Sequence, residues 1–171
     1  PQEIAEGLKS FQGVAHRQEV VGEFGGVLYI NDSKGTNPDS TIQALQAYDR
    51  PMVLILGGYD KAADFSALLP LIRQKVHHVI TMGATEEKIC QMLQSHGYTA
   101  IAKGGDDFDK VTELACEAAR PGDVVMLSPA CASWGMFANF EARGDRFRSL
   151  ILQRCGGQSG AAEAGKSGQH R

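Results

Sequence analysis

No stretch of the sequence is apolar for long enough to span a bilayer, and no basic-then-apolar leader opens it. Neither sign of charge dominates. Seventeen Lys and Arg against 20 Asp and Glu leave a net charge of -3, which gives no footprint for general nucleic-acid binding. The four cysteines form no C-x-x-C pair and have no histidine at metal-ligand spacing, so no zinc-site pattern is present. They read as reduced, mostly buried thiols of a cytoplasmic protein. No G-x-G-x-x-G follows an apolar run, so there is no dinucleotide fingerprint. The P-loop spacing G-x-x-x-x-G-K-S/T occurs only as GAAEAGKS at 160–167, in the polar Gly-rich tail with no apolar run before it, so no strand-to-helix turn reads as a P-loop. Internal repeats are absent as well. What remains is a chain of 171 residues, 43% hydrophobic and 22% charged, enough for one soluble domain with a real core.

From residue 27 to about 152 the pattern alternates. Short apolar runs at 27–31, 52–56, 78–82 and 124–127, with a weaker one at 98–102, predict strands. Helical spacing predicts helices over 41–47, 65–75, 85–96, 108–118 and 137–152. Asp64 stands as an N-cap, Pro70 as a bend or break, and Gly97 as a stop. Strands buried on both faces and separated by helices imply a doubly wound, mostly parallel α/β sheet with helices on both faces, Rossmann-like in architecture. At the ends, 4–11 reads as the end of a helix and 16–24 as an exposed extended segment. The small, polar, Gly-rich run from Gly156 reads as a disordered tail.

In an open α/β sheet, ligands bind outside the carboxyl ends of the strands. Three of the four turns leaving that edge are unusually polar: Asp32-Ser33-Lys34-Gly35-Thr36-Asn37, Gly57-Gly58-Tyr59-Asp60-Lys61 and Ser128-Pro129-Ala130-Cys131-Ala132-Ser133. The other, Gly83-Ala84-Thr85, is plain. Taken singly, each polar residue has an ordinary explanation. Asp32 and Asn37 can cap a turn or a helix, Lys34 and Lys61 can be solvated charges, and Ser133 can cap the last helix. Together, two lysines, several hydroxyls and a helix start converge on one edge, which suits a small polyanion such as a dicarboxylate or a phosphate. No Ser–His or Cys–His pairing supports a nucleophile, and His77-His78 has little support as a site. The residues alone leave the anion unidentified.

Four motifs narrow it: HRQEVV at 16–21, NDSKGTN at 31–37, LGGYDKAADF at 56–65 and LSPACASWGMFANFEARGDRF at 127–147. In order and spacing they resemble the C-terminal domain of the Mur ligases, specifically of the members that add D-glutamate to UDP-N-acetylmuramoyl-L-alanine in peptidoglycan precursor synthesis. Folylpolyglutamate synthetases share the domain architecture. The resemblance implies an ATP-dependent amide-forming ligase acting through an acyl phosphate, with ATP and Mg2+ as cofactors and the magnesium ligands mainly outside this chain. It implies a nucleotide side made of Arg17, Asp32 and Lys34, with Lys34 also catalytic. It implies a D-glutamate side made of Thr36, Lys61, Ser133, Asn139 and Phe140, and no metal ligand among them.

The same resemblance implies a division into the end of a central domain and linker (1–24), the amino-acid-binding domain (25–155) and the tail (156–171). Its partners are D-glutamate, ATP, UDP-N-acetylmuramoyl-L-alanine and further domains of a longer chain, in a cytoplasmic monomer that binds neither nucleic acid nor membrane. The lack of a P-loop on any strand-to-helix turn, and a chain opening on Pro1 without methionine, suggest a piece that is inactive alone. Gly35 stands where the family usually has alanine, implying a looser turn. Gly135 stands where an acid is common, implying a lost charge in the first turn of the last helix. The alternative is a freestanding nucleotide- or dicarboxylate-binding module of another pathway.

Overall fold

A computed structural model describes residues 14–156. The helix end expected at 4–11 and the tail expected after Gly156 lie outside the described residues.

Six strands form one sheet: β1 (Glu19–Phe24), β2 (Val27–Asn31), β3 (Met52–Gly57), β4 (Val76–Met82), β5 (Ile101–Lys103) and β6 (Val124–Leu127). Their spatial order is β1-β2-β6-β3-β4-β5, and every pairing is parallel except β1 with β2. The helices are α1 (Pro38–Gln46), α2 (Leu69–Lys75), α3 (Glu86–Ser95), α4 (Phe108–Ala118) and α5 (Phe140–Cys155), with short 3-10 turns at Ser66–Leu68 and Gly83–Thr85.

The topology follows from the handedness of crossovers. From β2 through β5 the chain steps in one direction across the sheet, so right-handed connections put α1, α2 and α3 on one face. From β5 it returns to the gap between β2 and β3, and that reversal puts α4 and α5 on the other face. The side chains obey this division. Ile30, Leu54, Leu56 and Met126 pack with Leu45, Ile72 and Leu93. Tyr29, Val53, Ile55 and Leu127 pack with Val111, Phe147 and Ile151. All six residues of β3 are buried, as a central strand covered on both faces requires. The gap filled by β6 is the switch point, and the carboxyl ends of β2, β6, β3 and β4 share one edge, because Asn31 pairs with Leu127, Ile55 with Leu127, and Gly57 with Met82.

The elements differ from expectation mainly at their ends. The segment at 16–24 is extended, but from Glu19 onward it is an edge strand rather than a free linker. Gly25 and Gly26, at φ 58° and 78°, form a two-residue hairpin turn that pairs Phe24 with Val27. The sheet therefore begins before residue 25. The first helix starts at Pro38, where a proline lacks no needed donor, and Asn37 caps it by accepting from the Ser40 amide at 2.9 Å. Pro70 opens α2 rather than breaking it, and Asp64 accepts from the Ser66 amide ahead of a 3-10 turn. The weak strand shrinks to Ile101–Lys103. The last helix starts at Phe140, not 137, because Asn139 is the residue whose side chain accepts from the Ala142 amide, at 2.7 Å.

Candidate functional site

The turn at 32–37 is built by Asn31 at the end of β2. Its side-chain oxygen accepts from the Ser33 amide, and its amide group donates to Glu19 Oε2 and to the carbonyl of Gly144. This ties the turn to β1 and to α5. Asp32 is buried. Its Oδ2 accepts from the Ser128 hydroxyl at 2.6 Å, and its Oδ1 accepts from the Gln18 amide at 3.1 Å. Burial nevertheless holds the Asp32 carboxyl above its ordinary range. Gly35 does not loosen the turn. Its amide donates to the Asp32 carbonyl, its own carbonyl accepts from Ala130, and a Cβ there would lie 2.5 Å from Asp32 Oδ2.

Arg17 is presented by a kinked segment. Its neighbours His16 and Gln18 sit at φ 61° and 45°, a left-handed region that costs roughly 1–2 kcal/mol per residue. Three contacts hold the kink: the Lys34 amide to the His16 carbonyl, the Gln18 amide to Asp32, and the His16 amide to Glu19.

Around this turn the expected residues fall into two clefts. Arg17, Asp32, Lys34, Ser40 and Gln43 line the first. Thr36, Lys61, Ser133, Trp134, Asn139 and Phe140 line the second. Lys34 belongs to both neighbourhoods, since its ammonium lies 5.7 Å from the Phe140 ring centroid. Lys61 leaves the β3 turn and stacks its ammonium 4.7 Å over the Trp134 ring, while Trp134 meets Tyr59 edge-on. Among the described residues Arg17, Lys34 and Lys61 take part in no ion pair, and the nearby Asp60 pairs with Lys88 instead. Three cations that take part in no ion pair among the described residues thus face two adjoining clefts, an arrangement suited to anionic ligands.

Three readings of the sequence around α5 change in the structure. Asn139 lines the second cleft, but its side-chain oxygen caps α5, leaving only its amide group for a ligand. Ser133 is not the cap of α5; its carbonyl accepts from Phe137 in the turn before it. Gly135, at φ 86°, lies in that same turn, so an acid there would fall outside the first turn of α5, where Glu141 already stands. His77 bonds Asp123 at 2.8 Å at the amino ends of β4 and β6, away from both clefts. Another cleft, beside Phe24 and Tyr29, contains Cys116, whose thiol burial pushes up to about 12, which suits no nucleophile.

Sequence reasoning missed four contributors. The plain turn supports the polar one, as Thr85 Oγ1 accepts from the Gly58 amide at 3.0 Å. Ser128 joins Asp32 to Thr41. Trp134 seats Lys61. Arg143 lies on the buried stripe of α5 with Phe147, Leu150 and Ile151, and a charge at that helical phase is a signal the sequence carries. Among the described residues no group of three or more His, Cys, Asp or Glu side chains is gathered to hold a metal ion.

Residues 16–131 match the family model described as Mur ligase, glutamate ligase domain. The chain is 45% identical over 150 residues to the UDP-N-acetylmuramoylalanine--D-glutamate ligase of Desulfitobacterium hafniense, covering 88% of this chain and 33% of that protein. It is 46% identical over 149 residues to the enzyme of the same name from Pelotomaculum thermopropionicum, covering 87% and 32%. The chain therefore spans about a third of the length of the curated relatives it matches. Among solved structures, the UDP-N-acetylmuramate-alanine ligase MurC of Thermotoga maritima superposes with a TM-score of 0.61 at 16% identity, over 86% of this chain and 32% of that one. The MurF ligase of Thermotoga maritima in complex with ADP gives 0.56 at 20% identity, over 85% and 33%. At such identities these two likenesses speak for the fold alone.

Proposed function

The chain belongs to the Mur ligase family through its glutamate ligase domain, and from that premise we propose that it is the amino-acid-holding part of an ATP-dependent ligase joining D-glutamate to UDP-N-acetylmuramoyl-L-alanine in peptidoglycan precursor synthesis. The observation that carries this reading is the pair of adjoining clefts with Lys34 between them. A ligase that activates a carboxylate with ATP and then delivers an amine needs a nucleotide and an amino acid side by side.

In this reading Arg17 and Lys34 meet the phosphates, and Asp32 serves the nucleotide side mainly by fixing the 16–18 kink. Lys61, Thr36 and Ser133 grip the two carboxylates of D-glutamate, Phe140 walls the cleft, and the Asn139 amide group stands beside it. The D-glutamate amine attacks the muramoyl-L-alanine acyl phosphate. A C–N bond forms, the amine gives up a proton to water, the C–O bond to phosphate breaks, and phosphate leaves, its growing charge met by Lys34. Among the described residues no group of three or more acids, histidines or cysteines is gathered, so a magnesium ion accompanying ATP would take its ligands mainly from outside them. With no P-loop on any strand-to-helix turn of the described residues, the main ATP cradle and the sugar nucleotide site fall to the rest of a longer chain, working in the cytoplasm as a monomer. On the same reading, residues up to 24 join this part to the rest, although β1 packs as its edge strand.

The test is amino-acid choice in the full-length ligase. With ATP, magnesium and UDP-N-acetylmuramoyl-L-alanine, phosphate release should require D-glutamate. Release driven equally by L-lysine, L-alanine or meso-diaminopimelate would assign the chain to a sister ligase.

A further inference from the structure

Three of the turns at the site meet on one side chain. Arg143 is 1% exposed. Its Nε donates to the Ser33 hydroxyl at 2.9 Å, and its Nη2 donates to the carbonyls of Ser33 at 2.8 Å and Cys131 at 3.1 Å. Its Nη1 is buried without a hydrogen-bond partner and faces Gly58, where a Cβ would lie 3.4 Å away. Among the described residues Arg143 takes part in no ion pair, and its contacts are two serine groups, a backbone carbonyl and a glycine.

A buried, acid-free guanidinium is a poor way to stabilise a fold. Taking a charge out of water is costly, and a well-packed apolar side chain often serves as well or better. Neutral donors would satisfy the same two carbonyls. Burial lowers the pKa of Arg143 to about 10, which leaves it charged at neutral pH. What it adds over a neutral strap is an unbalanced positive charge behind the second cleft. The peptide between Cys131 and Ala132 turns its carbonyl to Arg143, so its N–H points the opposite way, on the side of a residue that lines the cleft. Ser33, held by Arg143 Nε, in turn donates to the Phe140 carbonyl at 2.8 Å and so fixes the wall.

We propose that Arg143 is the specificity-determining positioning residue of the second cleft, its uncompensated charge favouring a ligand with two carboxylates over one of equal length with a single carboxylate. This rests on the reading of the cleft lined by Thr36, Lys61, Ser133 and Phe140 as the amino-acid site. Lys61 and Lys34 are reachable by salt and water, and an exposed acid, Glu141, lines the same cleft. Arg143 is shielded from both, so its preference survives where that of the lysines fades.

The probes are glutarate and its monoamide, glutaramate, titrated into this chain and followed by amide NMR shifts. The wild type should bind glutarate about tenfold more tightly than glutaramate, a preference retained at high salt. Arg143→Met should reduce that ratio to near one, and Arg143→Lys, which keeps the charge but loses the fork, should retain it while weakening both probes. A purely structural strap would weaken both probes alike and leave the ratio unchanged. An unaltered ratio in a folded Arg143→Met therefore overturns the proposal and leaves the cleft standing. If that variant does not fold, the wild-type salt series decides, since a preference lost at high salt belongs to the surface lysines and overturns the proposal equally. A wild type that binds neither probe removes the cleft itself.

Discussion

Lys61 and Lys34 are both cations without acid partners among the described residues, yet their surroundings assign them different work. Lys61 is exposed and held only by the Trp134 ring, a contact worth about 0.5–1 kcal/mol at such a site. In the full-length ligase Lys61→Ala should raise the KM for D-glutamate more than it lowers kcat, because carboxylate binding is similar in ground and transition states. Lys34, between the clefts, should lower kcat when replaced by alanine. Steady-state kinetics with each substrate varied separates the two, and an unchanged KM in Lys61→Ala would make that lysine a surface charge. Asp32 makes a prediction of a different kind. Its folded pKa is raised above the ordinary 3.8, so the stability it contributes is fully present below that value and is lost as pH rises through the native one. Asp32→Asn keeps an acceptor and removes the titration, so its urea stability should gain on the wild type as pH climbs from 4 toward neutrality. Parallel stability curves would show that Asp32 is not penalised by burial.

At the scale of elements, α5 carries most of what the sequence concealed. Its apolar stripe was legible, but its start was misplaced by three residues, because nothing in SWGMFANF distinguishes a loop from a first turn until the side chain of Asn139 is seen accepting from Ala142. Asn139→Ala should cost about 1 kcal/mol through the lost cap, lowering Tm by roughly 2–4 °C in a chain of this size. Asn139→Asp should keep the cap and the Tm but weaken D-glutamate binding, as it replaces the one group free to meet a carboxylate with a negative charge. Equal Tm losses in both variants, by calorimetry, would contradict the capping role. The β3 turn is stiffer than its two glycines suggest. Gly58 sits at φ 143°, and a Cβ there would lie 2.6 Å from the Ala132 carbonyl, so Gly58→Ala should displace Lys61 and lose several degrees of Tm. The hairpin of β1 was hidden for the converse reason. Gly25-Gly26 is a good turn signal, but the half-exposed strand before it lacks the continuous apolar run that marked the others.

Over the whole molecule, the parallel sheet was readable because buried central strands are unbroken apolar runs, and the edge carrying the polar turns followed from it. Strand order was not readable, since only the return of the chain into the gap between β2 and β3 puts the turns at 32–37 and 128–133 side by side. The partition into two clefts and the hub at Arg143 depend on that return, which no local pattern encodes. No turnover is expected from the chain by itself: with ATP, magnesium, D-glutamate and UDP-N-acetylmuramoyl-L-alanine it should release no phosphate, as no strand-to-helix turn among its described residues is a P-loop. The most direct test of the two-cleft reading is a D-glutamate titration of this chain followed by amide shifts. Binding should be weaker than micromolar, as expected for a small ligand without the other domains, with shifts concentrated at Thr36, Lys61, Ser133 and Phe140 and little change at Arg17 or Gln43. Shifts centred on Arg17 and Gln43, or micromolar affinity, would contradict it.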